Sequence, residues 1–457
     1  MRRLDEDAAA GEEAREPTHE PVSGAAAEKT TVGNYFISNY PPYSFWNEGA
    51  LGALEQRLQA PPEDGRPLGV YVHVPFCRKR CDFCYFKVYT DKNSKEVRRY
   101  LAGVARELDN YAGVPYLAGR APRFVYFGGG TPSYLSTGQL EELFGALRER
   151  LDWSQVEEVT FECEPGTLSL PKLQTLRDLG VTRLSLGVEN FDPAILERNN
   201  RAHRAEEIHR TFGFAREVGF PQVNIDLIAG MIGETDENWA ACVERTLELG
   251  PDSVTIYQME VPYNTTIYRR MKDDATDEAP VADWATKRRW VSEAFAALGA
   301  AGFEQSSAYT AYRGDGTSFL YRDSLWHGAD MLGLGVSSFS HLGGVHFQNE
   351  PSFGGYLDRV ERGERPTSRA YVLGDDERLV REFVLQLKTG AVDAGAFREK
   401  FAVDPLERFA DALAGHQRAG MLTVDGDRIR TTPEGLLVVD TLLPAFFRPE
   451  HISDRYV

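Results

Sequence analysis

The stretch LGVYVHVPFCRKRCDFC, residues 68–84, decides how the rest of the chain is read. It opens as an apolar run of strand type, GVYVHV at 69–74, and ends in Cys77, Cys81 and Cys84, spaced Cys-x3-Cys-x2-Cys. The chain has only two other cysteines, Cys163 and Cys242, too few for a disulfide scaffold. Thiols clustered in this way point to metal. Three thiolates can hold three irons of a [4Fe–4S] cluster, which leaves the fourth iron open to a small molecule. A metal site with an open position is a catalytic site. A closed zinc site needs a fourth Cys or His, and the only neighbour, His73, lies inside the predicted strand.

Outward from this loop, an apolar run followed by an amphipathic stretch recurs from residue 68 to 261, at intervals of roughly 30 residues. The runs at 69–74, 124–127, 158–162, 183–187, 222–227 and 253–258 are predicted strands. Patterns at 96–111, 137–150, 171–179, 205–218 and 236–248 are predicted helices. Strands alternating with helices imply βαβ units on a parallel sheet, and six such units predict an α/β fold with a partial (β/α)6 barrel over 67–279. In barrels of this kind function collects at the C-terminal strand ends. The cysteines follow the first strand, Gly128-Gly129-Gly130-Thr131-Pro132 the second, Glu162 ends the third, Glu189 follows the fourth and Asp226 lies in the fifth.

Beyond the barrel, residues 280–372 read as a less regular α/β extension, with a helix near 281–298 and a glycine-rich segment at 333–344. Residues 373–457 read as a winged-helix-like C-terminal domain, its hairpin at 422–431 turned by Asp425-Gly426. With 69 acidic against 51 basic residues the net charge is −18. That favours a lid or interaction role for this module over DNA binding, and it argues against nucleic-acid or anionic-membrane partners. No apolar run reaches the roughly 18 residues of a membrane span. Residues 1–30, rich in Ala, Glu and Pro, lack a secretory apolar region and read as a disordered tail, so a cytoplasmic protein is expected.

Cys-x3-Cys-x2-Cys with the aromatic Phe83 before the last cysteine resembles the signature of the radical S-adenosylmethionine (SAM) superfamily. The resemblance implies that SAM chelates the open iron and is cleaved reductively to a 5′-deoxyadenosyl radical. It narrows further: YVHVPFCRKRCDFC, YFGGGTPSYLS, RLSLGVENFDP, NIDLIAGMIGET and LGLGVSSFS, in this order, are similar to the oxygen-independent coproporphyrinogen III oxidase family. That likeness implies a substrate-covering N-terminal segment at 31–66 and two SAM molecules. The cluster-bound SAM would meet Tyr71, Gly129, Glu162 and Arg201; the second would meet Phe83, Gly130, Thr131, Glu189, Asp226, Glu260 and Phe339. It also implies a small-molecule substrate and a reductant such as flavodoxin or ferredoxin.

Four features depart from the family pattern. Phe86 stands where its decarboxylating members carry a further Cys, Glu189 replaces a glutamine, and Glu260 replaces a small apolar residue. The covering segment NYFISNYPPYSFW, 34–46, lacks the family's Arg. Its aromatics suit either a flat, less anionic substrate or an aromatic strip packed on the barrel. Together these departures predict a class C-like radical SAM enzyme that transfers a methyl or C1 unit from the second SAM to an sp2 carbon of a heteroaromatic natural product. Glu189 and Glu260 would then stabilise the sulfonium or act as a base on its methyl group. Some members of that class work with a methyltransferase-like partner. The alternatives are an oxygen-independent coproporphyrinogen III oxidase and a haem chaperone, with His341 and His346 as the residues to test for haem binding.

Overall fold

A computed structural model describes residues 29–452, apart from 34, 63, 64, 277 and 278. The expected disordered tail therefore lies almost wholly outside the described residues. The six predicted strands form as β1 (Leu68–Val74), β2 (Phe124–Gly129), β3 (Glu158–Cys163), β4 (Arg183–Glu189), β5 (Gln222–Ala229) and β6 (Ser253–Gln258), all paired in parallel. Between them run helices including Ser94–Asn110, Thr137–Arg148, Leu170–Asp178, Ala205–Val218 and Asp236–Leu249. Several begin where the sequence supplies a cap: the Asn93 and Ser136 side chains accept N–H groups of their first turns.

The 280–372 region is not a separate layer. Its strands are β7 (Phe303–Gln305), β8 (Thr310–Arg313), β9 (Asp330–Leu334), β10 (Phe339–Leu342), β11 (Val345–Asn349) and β12 (Thr367–Val372). They extend the barrel sheet at both edges, giving the order β12-β11-β10-β9-β1-β2-β3-β4-β5-β6-β8-β7. An open (β/α)6 barrel exposes unpaired backbone at its first and last strands. Here β9 satisfies β1 in parallel and β8 satisfies β6 antiparallel.

Period-two alternation separates two environments along the barrel strands. Val70, Val72, Phe127, Phe161, Leu184, Leu186, Val223 and Ile225 face the helices and are buried in one large apolar core. The alternate residues, Tyr71, Tyr126, Glu162, Ser185, Asn224 and Asp226, join one another by ring contacts and hydrogen bonds across the interior. The segment entering helix Leu320–Trp326 plugs the N-terminal end of the barrel. The amides of Leu320 and Tyr321 donate to the Glu158 carboxylate at 2.8 and 3.1 Å, and the Tyr321 ring lies 4.3 Å from that of Tyr126.

The C-terminal module packs helix Asp375–Leu387 over a three-stranded sheet of β13 (Ala391–Asp393), β15 (Arg428–Thr431) and β14 (Leu422–Asp425), with its own apolar core. The hairpin falls where Asp425-Gly426 places it, with Gly426 at positive φ. Beyond the hairpin the chain runs through three short helices, Pro433–Leu437, Val439–Leu442 and Leu443–Phe446.

Residues 30–47 form a strap between the sheet and this module. Gly33 N donates to Val261 O just beyond β6, and Asn47 exchanges backbone hydrogen bonds with Ala370 in β12. In the middle, the fully buried Lys388 donates to Ile37 O at 2.6 Å and to the Asp440 carboxylate at 2.9 Å, while Ile37 N donates to the same carboxylate. Removing one partner of a buried ion pair leaves an uncompensated charge. Asp440→Ala is expected to cost about 3–5 kcal/mol in urea denaturation, and the double variant Asp440→Leu/Lys388→Met to recover most of it.

Candidate active site

The cysteine loop is fixed from several sides before any cofactor is considered. Cys77 N donates to Tyr89 O and Tyr89 N to Pro75 O, closing its base. Asp82 N donates to Asn199 O, while Asp82 O accepts from Thr266 N and Ile267 N at the start of helix Thr266–Asp273. The GGGTP turn presses against it. Gly130 N donates to Val74 O, and a Cβ at Gly130 would lie within 3.0 Å of the Val74 and Phe76 carbonyls, so only glycine permits this approach. The Thr131 hydroxyl donates to Cys77 Sγ at 3.3 Å, and Arg201 Nη1 donates to Cys81 Sγ at 3.2 Å.

Burial, joined by the mutual repulsion of the three sulfurs, pushes the Cys77 thiol up to about 12 and the Cys84 thiol up to about 11. No three His, Cys, Asp or Glu side chains among the described residues converge on one point as a single ion requires. The three thiols lie instead in electrostatic range of one another around one loop, with hydrogen-bond donors aimed at two of them. A cubane spreads its thiolate ligands over separate corners, so this donor set can hold a [4Fe–4S] cluster, whose charge reverses the thiols' preference for the protonated form.

Facing the loop is an interior rich in carboxylate, with Arg183, fully buried, and Arg201 as its cations. Glu162 accepts the Tyr126 hydroxyl at 2.6 Å and Gly129 N at 3.0 Å, and burial pushes it up to about 7. Glu189, held at φ 64°, lies 3.5 Å from Arg201 and is likewise pushed up to about 7 by burial. Asp226 is gripped by Ser185 Oγ and Asn224 Nδ2, both at 2.8 Å, and is also raised by burial. Arg201 spends its guanidinium on Cys81, on Gly187 O and on Glu189. Three carboxylates against two guanidinium groups leave an interior that suits a ligand bearing positive charge, which SAM does in its sulfonium and ammonium groups.

The structure joins Tyr71, Gly129, Glu162, Arg201, Glu189, Asp226 and the GGGTP turn around the loop. Tyr71 bonds His73 Nδ1 at 3.2 Å and stacks on Tyr126. Arg201 is no surface charge; its side chain is 11% exposed. Phe83 packs on Ile195, Ile228, Met231 and Met259. Glu260 and Phe339 belong to the strap side. Glu260 accepts Tyr35 N at 3.1 Å and is pushed up to about 8, mainly by burial, and Phe339 stacks on Tyr43 at 4.2 Å.

Most strap aromatics dock the strap itself. Tyr35 packs on Trp284, Phe36 on Tyr309, Tyr40 on Phe447, Phe45 on His451 and Trp46 on His346. His341 and His346 bond each other through Nδ1 at 3.0 Å, and His346 Nε2 bonds Tyr40 O, so this pair fastens the strap.

Four residues beside the interior or under the strap have no signal in the sequence. Tyr85 lies in the electrostatic field of Cys84, Glu162, Tyr43 and Glu260 together. Tyr257, 41% exposed, lies in that of Asp226, Glu162 and Glu189. Arg369 donates to Tyr43 O at 3.1 Å and Arg381 to Asn39 Oδ1 at 2.9 Å, placing two guanidinium groups under the strap.

A parallel half-barrel with a thiol loop after its first strand, facing an anionic interior, defines a radical SAM enzyme. Residues 71–245 match the Radical SAM superfamily and residues 373–438 match the HemN C-terminal domain. The chain is 29% identical over 433 residues to the oxygen-independent coproporphyrinogen III oxidase of Escherichia coli (strain K12), covering 90% of this chain and 93% of that one. It is 27% identical to heme chaperone HemW of Bacillus subtilis (strain 168), over 82% of this chain and 98% of that one. The solved structure of E. coli coproporphyrinogen III oxidase, HemN, superposes with a TM-score of 0.78 at 28% identity, covering 90% of this chain and 96% of that one.

The protein is thus a radical SAM protein of HemN-like architecture, and its cofactors are a [4Fe–4S] cluster and SAM. These findings overturn the expectation of a class C methyl- or C1-transfer enzyme. The relatives that match along most of its length are coproporphyrinogen III oxidases and HemW. The heteroaromatic natural-product substrate, the methyltransferase-like partner and the methyl-directed roles of Glu189 and Glu260 fall with it. No helix among the described residues is long and apolar enough to cross a membrane.

Glu260 binds its proton more tightly in the folded chain than at its ordinary value of 4.5. Its ionisation therefore opposes folding, and stability drains from the protein as the pH rises from about 4.5 to about 8. Glu260→Gln removes the titrating group but keeps an acceptor for Tyr35 N. Urea midpoints compared between parent and variant should shift in the variant's favour as the pH rises through this window.

Proposed function

We propose that this protein is an oxygen-independent coproporphyrinogen III oxidase-type enzyme, acting by radical oxidative decarboxylation on a carboxylate-bearing porphyrinogen. The observation that carries the reading is the 29% identity to the E. coli oxidase over 90% of this chain and 93% of that one, together with the superposition of the solved oxidase structure at a TM-score of 0.78. The cluster and SAM, when bound, would supply hydrogen abstraction from a propionate side chain, and loss of CO2 to leave the vinyl group then releases one electron, which a one-electron acceptor must take. Cys77, Cys81 and Cys84 are the cluster ligands, with Thr131 and Arg201 holding two of the sulfurs. Tyr71, Gly129, Glu162 and Arg201 seat the cluster-bound SAM. Glu189 and Asp226, with Phe83, Gly130, Thr131, Glu260 and Phe339, flank a second SAM.

The strap carries no arginine over the barrel mouth, but Arg369 and Arg381 stand beneath it beside Tyr43. A guanidinium is suited to a planar carboxylate, so Arg369, the less buried of the two, takes a substrate propionate in place of the missing strap arginine, while Arg381 holds the strap at Asn39. The plug closes the lower end of the interior through Glu158, while Tyr257 at the other end stays 41% exposed.

Anaerobic incubation with reductant, SAM and coproporphyrinogen III should release CO2 and form a vinyl-bearing porphyrinogen. Formation of 5′-deoxyadenosine without decarboxylation would sink the oxidase reading, and stoichiometric haem binding without turnover would replace it with the chaperone. For Arg369→Ala, loss of one charged hydrogen bond is worth about 1.5–3 kcal/mol. KM for the porphyrinogen should rise roughly ten- to a hundred-fold, with a smaller change in kcat.

A further inference from the structure

One cation inside the barrel is left without a partner. Arg183 opens β4 on the same strand face as Ser185, whose hydroxyl holds Asp226. It is 1% exposed, yet its Nε and Nη1 have no hydrogen-bond partner among the described residues. Buried arginines are almost always paired. The neighbours that could pair with it are engaged elsewhere or stand off. Glu158 accepts the Leu320 and Tyr321 amides and the Thr160 hydroxyl. Gln222, level with Arg183 on β5, leaves its own Oε1 unbonded. Phe319 of the plug offers only its ring, with the centroid 4.0 Å from the guanidinium carbon.

Sheet register sets what lies above this group. Arg183 is level with Thr160 on β3 and Gln222 on β5, so Glu162 and Asp226 stand further along their strands, towards the cysteine loop. The guanidinium therefore lies on the floor of the interior, with both carboxylates between it and the loop. Burial raises the pKa of Glu162 and of Asp226, and the Arg183 charge works against that rise in each. A charge in a low-dielectric interior acts in this way without contact. Glu189 answers to Arg201 instead, and Arg322, also at the floor, is paired with Asp323. The phenols of Tyr71, Tyr126, Tyr257, Tyr312 and Tyr321 around the same space are all raised by burial and stay neutral.

We propose that Arg183 is a positioning residue of the SAM site, whose unpartnered guanidinium acts from the barrel floor through Glu162 and Asp226 to ready both carboxylates for a cationic ligand. The inference rests on the seating of SAM by those two residues proposed above. Because the carboxylates intervene, the help that Arg183 gives their ionisation outweighs its own repulsion of the ligand.

Holoenzyme with its cluster oxidised binds SAM without cleaving it. Affinity is measured by calorimetry from about pH 6 to about pH 8.5 in the parent and in Arg183→Met, Arg183→Gln and Arg183→Lys. Titration of the SAM ammonium is common to all four proteins and cancels in the ratio to the parent. Without the guanidinium the carboxylates keep their protons to higher pH. The Met and Gln variants should therefore bind roughly tenfold more weakly near pH 7 and only about twofold more weakly near pH 8.5. Arg183→Lys, which retains the charge, should recover most of the parent profile, and iron content and urea midpoint verify that each variant folds. Tighter SAM binding in the neutral variants overturns the proposal, because Arg183 would then act only as a repelling charge. So does a loss that is constant with pH or shared by the Lys variant, the mark of a guanidinium that merely packs the plug through Phe319. Glu162→Gln and Asp226→Asn are measured alongside. Unchanged SAM affinity in both counts against their seating of SAM, and the inference falls with it.

Discussion

Glu162, Glu189 and Asp226 inside the barrel, with Glu260 beside it, are carboxylates withdrawn from water, and Arg183, Arg201 and Lys287 offset only part of their charge. Each ionised group buried in this way opposes folding. The strain is borne elsewhere. An apolar shell of Val, Leu, Ile and Phe on the outward strand face packs against the surrounding helices, each large side chain contributing about 1.5–3 kcal/mol. Hydrogen bonds solvate the interior carboxylates in place of water, Tyr126 and Gly129 serving Glu162, and Ser185 and Asn224 serving Asp226, while Arg201 pairs with Glu189. A cationic ligand relieves what remains, so binding and folding pull in the same direction.

Closing such an interior requires covers that do not themselves import unpaired polar groups. The plug at the lower end meets this by donating two amides to Glu158. The strap meets it with two buried lysines: Lys388 satisfies Ile37 O and Asp440, and Lys287 satisfies Thr30 Oγ1 and Met259 O. Lys287 lies near Glu260, and burial presses its ammonium down to about 7 while Glu260 is raised. The C-terminal module therefore works as part of the active-site wall, because its Asp440 and Lys388 hold the middle of the strap.

Three features that look like altered chemistry in the sequence have a structural use. Glu189 pairs with the arginine that also serves Cys81, Glu260 receives a strap amide, and the strap aromatics seat on Trp284, Tyr309, Phe447 and His451. A resemblance judged on such substitutions leads toward methyl transfer, whereas the match along nine-tenths of the chain leads to the oxidases. The change of Cys to Phe86 has no structural explanation beyond its stacking on Tyr85 at 4.5 Å.

Local pattern determined the barrel. Strand and helix periodicity, caps such as Asn93 and Ser136, and the Asp425-Gly426 turn act within a few residues, so the six βα units and the wing-like hairpin are legible from 68 to 258 and at 422–431. The thiol spacing determined the cofactor class for the same reason, since its ligands lie within eight positions. Tertiary structure alone decided that the extension strands join both edges of one sheet. It alone placed Arg369 and Arg381 under a strap more than 300 residues away, and buried Asp82 and Glu164 against Arg270 and Arg78. Those outcomes depend on which distant groups satisfy each other's charge and backbone, and that choice is made only when the chain closes on itself.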